Sequence, residues 1–191
     1  MQAARGTPVG SITPRLRWIF ITIAGLAYAV DQVSKYLAEQ HLEGRPDVQV
    51  IGEILQLHLT YNPGAAFSTG TGFTPVITIV AIIATAVVLW YSRRIGSTAW
   101  AVALGLLLAG ITGNLTDRLL RDPGPMRGHV VDMLMLPNWP VFNVADVCIN
   151  VAAGLIIIQA LRGVRLDGTR EGEAVETADE TADKTAEERA E

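Results

Sequence analysis

The chain has few of the residue types that cross-link a small protein or bind metal ions. Among its 191 residues there are one cysteine, Cys148, and three histidines. A single cysteine excludes an intrachain disulfide, and its apolar neighbours favour a small packing residue over a nucleophile. His41, His58 and His129 show no ligand spacing with one another or with the cysteine, so no metal site is predicted.

Charge is absent from long stretches of the sequence. Residues 73–91 and 98–116 contain no charged side chain, and each run is close to the roughly 20 residues that a membrane helix needs. A shorter run spans Val147 to Leu161, and the first run, Trp18 to Val30, reaches spanning length only with flanking residues such as Arg17, whose side chain can snorkel. With a hydrophobic content of 50% and a mean hydropathy of +0.32, the sequence predicts an α-helical integral membrane protein with four transmembrane helices.

The first apolar run has two interpretations. Arg15 and Arg17, a short apolar stretch and the small residues at 27–29 together have the features of a cleaved secretory signal peptide. Asp31 and Lys35 favour an intact helix, because their i, i+4 spacing would place both charges on one side of a helix that continues past the run. We expect a first membrane helix, with the cleaved signal as the alternative.

The basic residues near the predicted spans indicate the orientation in the membrane, because cytoplasmic loops carry an excess of Lys and Arg. Eight lie on the side that holds both termini and five on the other side, which predicts cytoplasmic termini. The eight are Arg5, Arg15, Arg17, Arg93, Arg94, Arg162, Arg165 and Arg170, and the five are Lys35, Arg45, Arg118, Arg121 and Arg127.

The two ends of the chain differ from its centre. From Asp167 onward there are ten acidic and three basic residues, a net charge of −7, so the rest of the chain carries +3 of the total −4. Such a segment without aromatic residues is typical of disorder. We expect a disordered N-terminal extension at 1–14, a membrane domain at 15–163 and an acidic cytoplasmic tail at 164–191.

The connection between the first two spans, residues 31–72, has a strand pattern. Apolar residues alternate with polar ones from Leu55 to Tyr61, the period of a strand with one apolar face. The segment Val48 to Ile51 precedes it, and Gly52 with Glu53 suits a two-residue hairpin turn that has glycine first. We therefore predict a small antiparallel β-sheet at the outer membrane surface.

Two aspartates, Asp132 and Asp146, lie at the approach to the last apolar run. Ionisable groups in such a position are costly and indicate function. A single helix would hold the two residues about 21 Å apart, but Pro137 and Pro140 exclude that helix. A loop can return Asp146 to the neighbourhood of Asp132, and two carboxyl groups that share one water are the working parts of an aspartic protease.

Five sequence blocks carry a resemblance to a known family. In this order and on this topology they resemble lipoprotein signal peptidase, also called signal peptidase II, over about residues 17 to 161. The resemblance implies a bacterial inner-membrane aspartyl peptidase with four helices and a small extracytoplasmic sheet, which removes the signal peptide of prolipoproteins once the lipobox cysteine carries diacylglycerol. The blocks are Asp31 with Lys35, Asn62 to Phe67, Gly113-Asn114 with Asp117-Arg118, Val130 to Asp132, and Phe142-Asn143 with Ala145-Asp146.

The resemblance also implies roles for residues. Asp132 and Asp146 match the catalytic pair, without metal or other cofactor. The implied partners are diacylglyceryl-prolipoproteins and membrane lipids, not nucleic acid, and the implied state is a monomer in the cytoplasmic (inner) membrane with its active site near the outer face. The positions that shape the site or bind substrate are Asp31, Lys35, Asn62, Gly64, Asn114, Arg118 and Asn143.

Three alternatives stay open at this level. Paired carboxylates in a helical bundle also make proton relays, so a small proton-coupled transporter is possible, although such proteins use broken helices or internal repeats. A lipid-binding protein without enzymatic activity could use the hairpin and Lys35. For Arg118, which with Asn62 is predicted to hold the substrate backbone, the alternative is a simple ion pair with Asp117.

Overall fold

Four long helices form the protein. The computed structural model describes residues 13–64 and 73–170, and it contains α1 (Pro14–Leu42), α2 (Thr74–Tyr91), α3 (Thr98–Leu120) and α4 (Val144–Leu161). Each helix is long and apolar enough to cross a membrane, which confirms the predicted four-helix class. Most of the predicted N-terminal extension, the tail from residue 171 onward and residues 65–67 of the Asn62 to Phe67 block lie outside the described residues.

Helix α1 is longer than the apolar run from which it was predicted. It has 29 residues and continues without a break through Asp31 and Lys35 to Leu42. At about 1.5 Å per residue it measures roughly 43 Å, more than the hydrocarbon core of a bilayer, about 30 Å. The charged pair therefore lies on the last turns of a continuous helix, as its i, i+4 spacing indicated.

A three-stranded antiparallel sheet follows α1. Its order is β1 (Val48–Ile51), β2 (Leu55–Asn62) and β3 (Val130–Met135). Gly52 begins the turn as predicted, at φ +50°, and the amide of Ile54 donates to the carbonyl of Ile51 at 3.0 Å. The connection has three residues rather than the predicted two, because Ile51 pairs with Leu55. The third strand, β3, was not predicted from the sequence. Its first four residues are all buried, and a strand buried on both faces does not alternate between apolar and polar residues.

Small residues on α3 let its neighbours approach closely. A Cβ on Gly110 would lie 2.5 Å from the carbonyl oxygen of Ala145, and a Cβ on Gly113 would lie 2.5 Å from Asp31 Oδ2. Glycine at these positions allows helix backbones to come together, as in other membrane bundles. Helix α3 thereby brings the carboxylate of α1 and the first turn of α4 to the same place.

The opposite end of the bundle is packed by apolar side chains. This apolar end is the buried cluster of Leu16, Phe20, Val88, Ile95, Ala101 and Leu104. Residues 164–170, which the sequence analysis assigns to the disordered tail, have a defined structure against this cluster. The amide of Gly96 donates to the carbonyl of Leu166 at 2.9 Å, the indole of Trp100 donates to the carbonyl of Val164 at 3.2 Å, and the Leu166 side chain packs on the cluster. The ordered chain therefore extends past the predicted boundary at residue 163.

Candidate active site

The candidate site is a cavity of about 490 Å³ between the sheet and the ends of three helices. Its lining combines polar side chains, which include both aspartates, with apolar ones from three helices. The polar residues include Asn62, Asn114, Arg118, Asp132 and Asp146, and the apolar ones include Ile77, Val80, Ala81 and Ala84 of α2, Ile111 and Leu115 of α3, and Ile149 of α4.

A short loop returns the second aspartate to the first. Asp132 lies on β3 and Asp146 in the first turn of α4. Between them the chain folds back on itself, because Phe142 and Leu134 exchange backbone hydrogen bonds of 2.9 and 2.8 Å. The return places Asn143 against β3, and the two carboxyl groups line one cavity. This is the kind of loop that Pro137 and Pro140 predicted.

Asn143 contacts both aspartates. It is the N-cap of α4. Its side-chain Oδ1 accepts from the backbone N–H of Asp146 at 2.9 Å, and its backbone N–H donates to Asp146 Oδ2 at 3.2 Å. This reciprocal pair is a capping box. Its Nδ2 also donates to Asp132 Oδ1 at 2.6 Å. One fully buried side chain therefore fixes the position of Asp146 relative to Asp132.

Two more amides complete the contacts of the carboxyl groups. Asn62 Nδ2 donates to Asp132 Oδ2 at 3.1 Å, and Asn114 Nδ2 donates to Asp146 Oδ1 at 2.9 Å. Burial, the largest cause, and the neighbouring Asp146 together raise the pKa of Asp132 to about 7, against the opposing effect of the hydrogen bonds from Asn62 and Asn143. At neutral pH this carboxyl group can therefore be found with or without its proton.

A buried lysine connects the helices behind the site. The Lys35 side chain is 0% exposed, and its Nζ lies 2.9 Å from Asp31 Oδ2 and 2.8 Å from Asp117 Oδ2. It also donates to Asn114 Oδ1 at 2.9 Å. Asp31 in turn accepts from the amide of Ala145 at 2.8 Å. These bonds join α1, α3 and the start of α4 directly beneath the aspartates.

Arg118 points into the cavity rather than toward Asp117. Its Nη2 donates to the carbonyl of Gly64 at 2.5 Å, and its buried Nη1 has no hydrogen-bond partner among residues 13–64 and 73–170. Asp117 instead pairs with Lys35 and Arg121, so the alternative of an Arg118–Asp117 ion pair is wrong. A buried donor without a partner is costly.

Asp117 stands in one of the family blocks, but the sequence analysis gave it no role beyond a possible ion pair with Arg118. It is 0% exposed, binds Lys35 on one side and Arg121 on the other, and accepts from the amide of Val131 at 3.3 Å. Two signals could have found it. A carboxylate at the end of a membrane run is costly, and Arg121 follows it at the i, i+4 spacing of a helical ion pair.

The fold and the site define the class of this protein. It is a polytopic membrane protein with an acidic polar site at one end of a four-helix bundle. Residues 23–162 match the model of a family described as signal peptidase (SPase) II. The chain is 46% identical to the lipoprotein signal peptidase of Leifsonia xyli over 164 residues, 84% of this chain and 76% of that protein. It is 46% identical to the one of Rhodococcus jostii over 166 residues, 86% and 83% of the two chains. The protein belongs to the signal peptidase II family.

Solved structures agree with the fold. Two structures described as bacterial membrane enzymes superpose with TM-scores of 0.68 and 0.66, each at 30% sequence identity. The first similarity covers 74% of this chain and 87% of the other, and the second covers 75% and 92%. Together with the family match, they make this chain a bacterial multi-pass membrane peptidase, and the resemblance stated from its sequence blocks is confirmed.

Proposed function

We propose that the protein is an aspartic endopeptidase that removes the signal peptide from diacylglyceryl-modified prolipoproteins, cutting on the N-terminal side of the lipidated cysteine. The observation that carries the aspartic mechanism is the arrangement of Asp132 and Asp146, which line one cavity and are both held by Asn143. The substrate class comes from the family, whose relatives are lipoprotein signal peptidases.

The chemistry follows from the properties of two nearby carboxyl groups. Because they cannot both ionise comfortably, the pair shares one proton and titrates as a unit. The ionised carboxyl takes a proton from a water molecule, which attacks the carbonyl carbon before the lipidated cysteine. The protonated carboxyl donates its proton to the developing oxyanion. The carboxyl that took the proton of the water then donates it to the leaving amine, while the first carboxyl recovers a proton from a hydroxyl of the tetrahedral intermediate as the carbonyl re-forms. Asn62, Asn114 and Asn143 hold the carboxyl groups in place during these steps.

Arg118 is the residue we assign to the substrate backbone. Its Nη2 is held by Gly64, so Nη1 is oriented to donate to a peptide carbonyl that enters the cavity. Asn62 has a different role from the one expected from the sequence. Its Nδ2 donates to Asp132, and its Oδ1 accepts from the amide of Gly64 at 3.0 Å. We therefore assign Asn62 to positioning Asp132, while the apolar side chains that line the cavity receive the hydrophobic part of the substrate.

We also propose that the chain lies in the cytoplasmic membrane as a monomer, with both termini in the cytoplasm and the site near the outer face. The count of basic residues supports this orientation. Reporter fusions after Arg94 and after Gly163 should report cytoplasm, and a fusion near Arg45 should report the exterior. The reverse pattern would contradict the orientation without affecting the catalytic proposal.

Two observations disfavour the other candidate functions. A transporter would use helices broken near the midplane, whereas α1 to α4 are continuous within the described ranges. A lipid-binding protein that used Lys35 would need an accessible ammonium, whereas this one is fully buried and ion-paired.

The experiment is cleavage of a diacylglyceryl-modified prolipoprotein by the pure protein in detergent. Asp132→Asn and Asp146→Asn should each abolish cleavage and leave the protein folded, because an amide can neither accept the proton of the water nor share one. EDTA should have no effect. Full activity of either variant would refute the aspartic mechanism, and EDTA inactivation that zinc reverses would indicate metal-assisted hydrolysis.

A further inference from the structure

The orientation of the Asn114 side-chain amide is fixed by the two partners of its oxygen, Lys35 and Asn143. An asparagine amide can be turned by 180°, and its orientation is decided by the partners of its oxygen and its nitrogen. Asn114 Oδ1 accepts from Lys35 Nζ at 2.9 Å and from Asn143 Nδ2 at 3.0 Å, while Nδ2 donates to Asp146 Oδ1 at 2.9 Å. Because an ammonium group has only donors, Lys35 requires the oxygen of Asn114 on its own side. The nitrogen must then face Asp146.

Lys35 has no hydrogen atom left for a substrate. An ammonium group carries three donors, and the three close acceptors are Asp31, Asp117 and Asn114. The side chain is 0% exposed and is not among the residues that line the cavity. The Lys35 charge lowers the pKa of Asp132 directly, but its hydrogen bonds reach the carboxyl groups of the cavity through Asn114, the member of this group that touches Asp146.

We propose that Lys35 is a positioning residue: it orients the amide of Asn114 so that an N–H rather than a carbonyl oxygen faces Asp146. A reversed amide would place an oxygen against the carboxylate, where two acceptors repel each other, and Asp146 would lose the donor that holds it toward the water. The inference rests on the proposed aspartic mechanism and adds the way in which one of its two carboxyl groups is kept in place.

The first test removes Lys35 while keeping the buried charges balanced. In Lys35→Met/Asp31→Asn, one positive and one negative charge are lost, Asp117 keeps its pair with Arg121, and the asparagine introduced at position 31 can still accept from the amide of Ala145. Asp31→Asn alone is the matched control, since it keeps Lys35 bound to Asn114. We expect kcat of the double variant to fall about 10²-fold below that of the control, with KM unchanged because Lys35 lies outside the cavity. Equal kcat values in the two folded variants would overturn the proposal.

The second test keeps the shape of the site and changes only its hydrogen bonding. In Asn114→Asp, the oxygen on the side of Lys35 keeps its partners, but a second oxygen replaces the nitrogen that faces Asp146. The charged groups around this position are Lys35 and Asp31 on α1, Asp117 and Arg118 on α3, Asp146 on α4 and Asp132 on β3. Relative to the wild-type protein at the same pH, cleavage should be low at neutral pH and rise as the pH falls, because a protonated carboxyl can donate to Asp146 as the amide does.

The outcomes of this test are distinct. Near-normal activity at neutral pH, or a loss that is the same at every pH, would overturn the proposal, because a residue that only fills space has no reason to depend on a proton. This variant decides the question if the double variant does not fold. Failure of the proposed function itself is a separate result, seen as cleavage by Asp132→Asn, and it does not depend on either test.

Discussion

The two ends of the bundle are held together by different kinds of side chain. At the apolar end, α1, α2 and α3 meet through Phe20, Val88 and Leu104 and their neighbours. At the other end, which we call the site end, α1, α3 and α4 meet through Asp31, Lys35, Asp117, Asn114 and Asn143, all joined by ion pairs or hydrogen bonds. Helices α1 and α3 therefore run from a core of packed apolar side chains to a buried network of charged and polar groups.

The difference indicates what each end is for. Apolar contacts inside a membrane are not directional, so they fix the distance between helices better than they orient a single group. A buried polar network costs free energy unless each member is satisfied, but it holds its groups in one arrangement. The site end therefore holds its polar groups in fixed orientations, and the apolar end supplies stability without orienting any polar group.

The largest effect that separates the two ends should come from Arg118. Arg118→Ala should lower kcat/KM about 10²- to 10³-fold, as expected for loss of one donor to the reacting carbonyl region, with little change in the thermal unfolding midpoint. Its Nη1 makes no hydrogen bond within the described part of the chain, so the side-chain hydrogen bond that the variant loses is the one from Nη2 to the carbonyl of Gly64. A cleavage assay and a melting curve in detergent give the two readouts.

Two variants complete this prediction. Arg118→Lys should not restore activity, because an ammonium group cannot bind Gly64 and a substrate carbonyl with the fixed fork of a guanidinium. Asp117→Ala should instead lower stability by about 3–5 kcal/mol, since it leaves Lys35 buried with one ionic partner fewer. Normal cleavage by Arg118→Ala together with early melting would make Arg118 structural and contradict its assignment.

The sequence predicted the elements that local patterns encode. Charge-free runs indicated the membrane helices, and the alternation from Leu55 to Tyr61 together with Gly52 indicated the hairpin. The strand β3 was not predicted, because it is buried on both faces and lacks such a pattern. The sequence analysis assigned residues 164–170 to the tail from their composition. Their defined structure depends on a backbone hydrogen bond from Gly96 to Leu166 and on the packing of the Leu166 side chain, which composition does not encode.

The site was predictable as a set of residues but not as a set of contacts. The two aspartates and the loop between them followed from the cost of charge near a membrane and from Pro137 and Pro140. The contact of Asn143 with Asp146 has the local spacing of a capping box. The bond of Asn143 to Asp132 on β3 and the pair of Asp117 on α3 with Lys35 on α1 depend instead on how distant elements pack together. No spacing along the chain encodes such distant pairs.

A substitution at the apolar end should affect stability alone. Phe20→Ala should lower the free energy of unfolding by about 3–5 kcal/mol, the usual cost of removing a packed aromatic side chain, because Phe20 is 6% exposed within the cluster. At temperatures where the variant is folded, kcat should stay at the wild-type value. Ile83→Ala is the control on the outer surface of α2, where the side chain is 57% exposed, and it should have a small effect. A large loss of kcat in folded Phe20→Ala would show that the two ends are coupled.

The smallest effect should be the pH dependence of stability at the site end. Burial raises the pKa of Asp132 from 3.8 to about 7, so the folded protein binds this proton more tightly than the unfolded chain does. The stability from this group is complete below about pH 4 and is lost as the pH rises through 7. The thermal unfolding midpoint should therefore decrease as the pH rises from 4 to 7. Asp132→Asn should reduce the slope of this decrease. Glu53→Gln, at the exposed hairpin turn, should leave it unchanged. A slope that persists in full in Asp132→Asn would place the titrating group elsewhere.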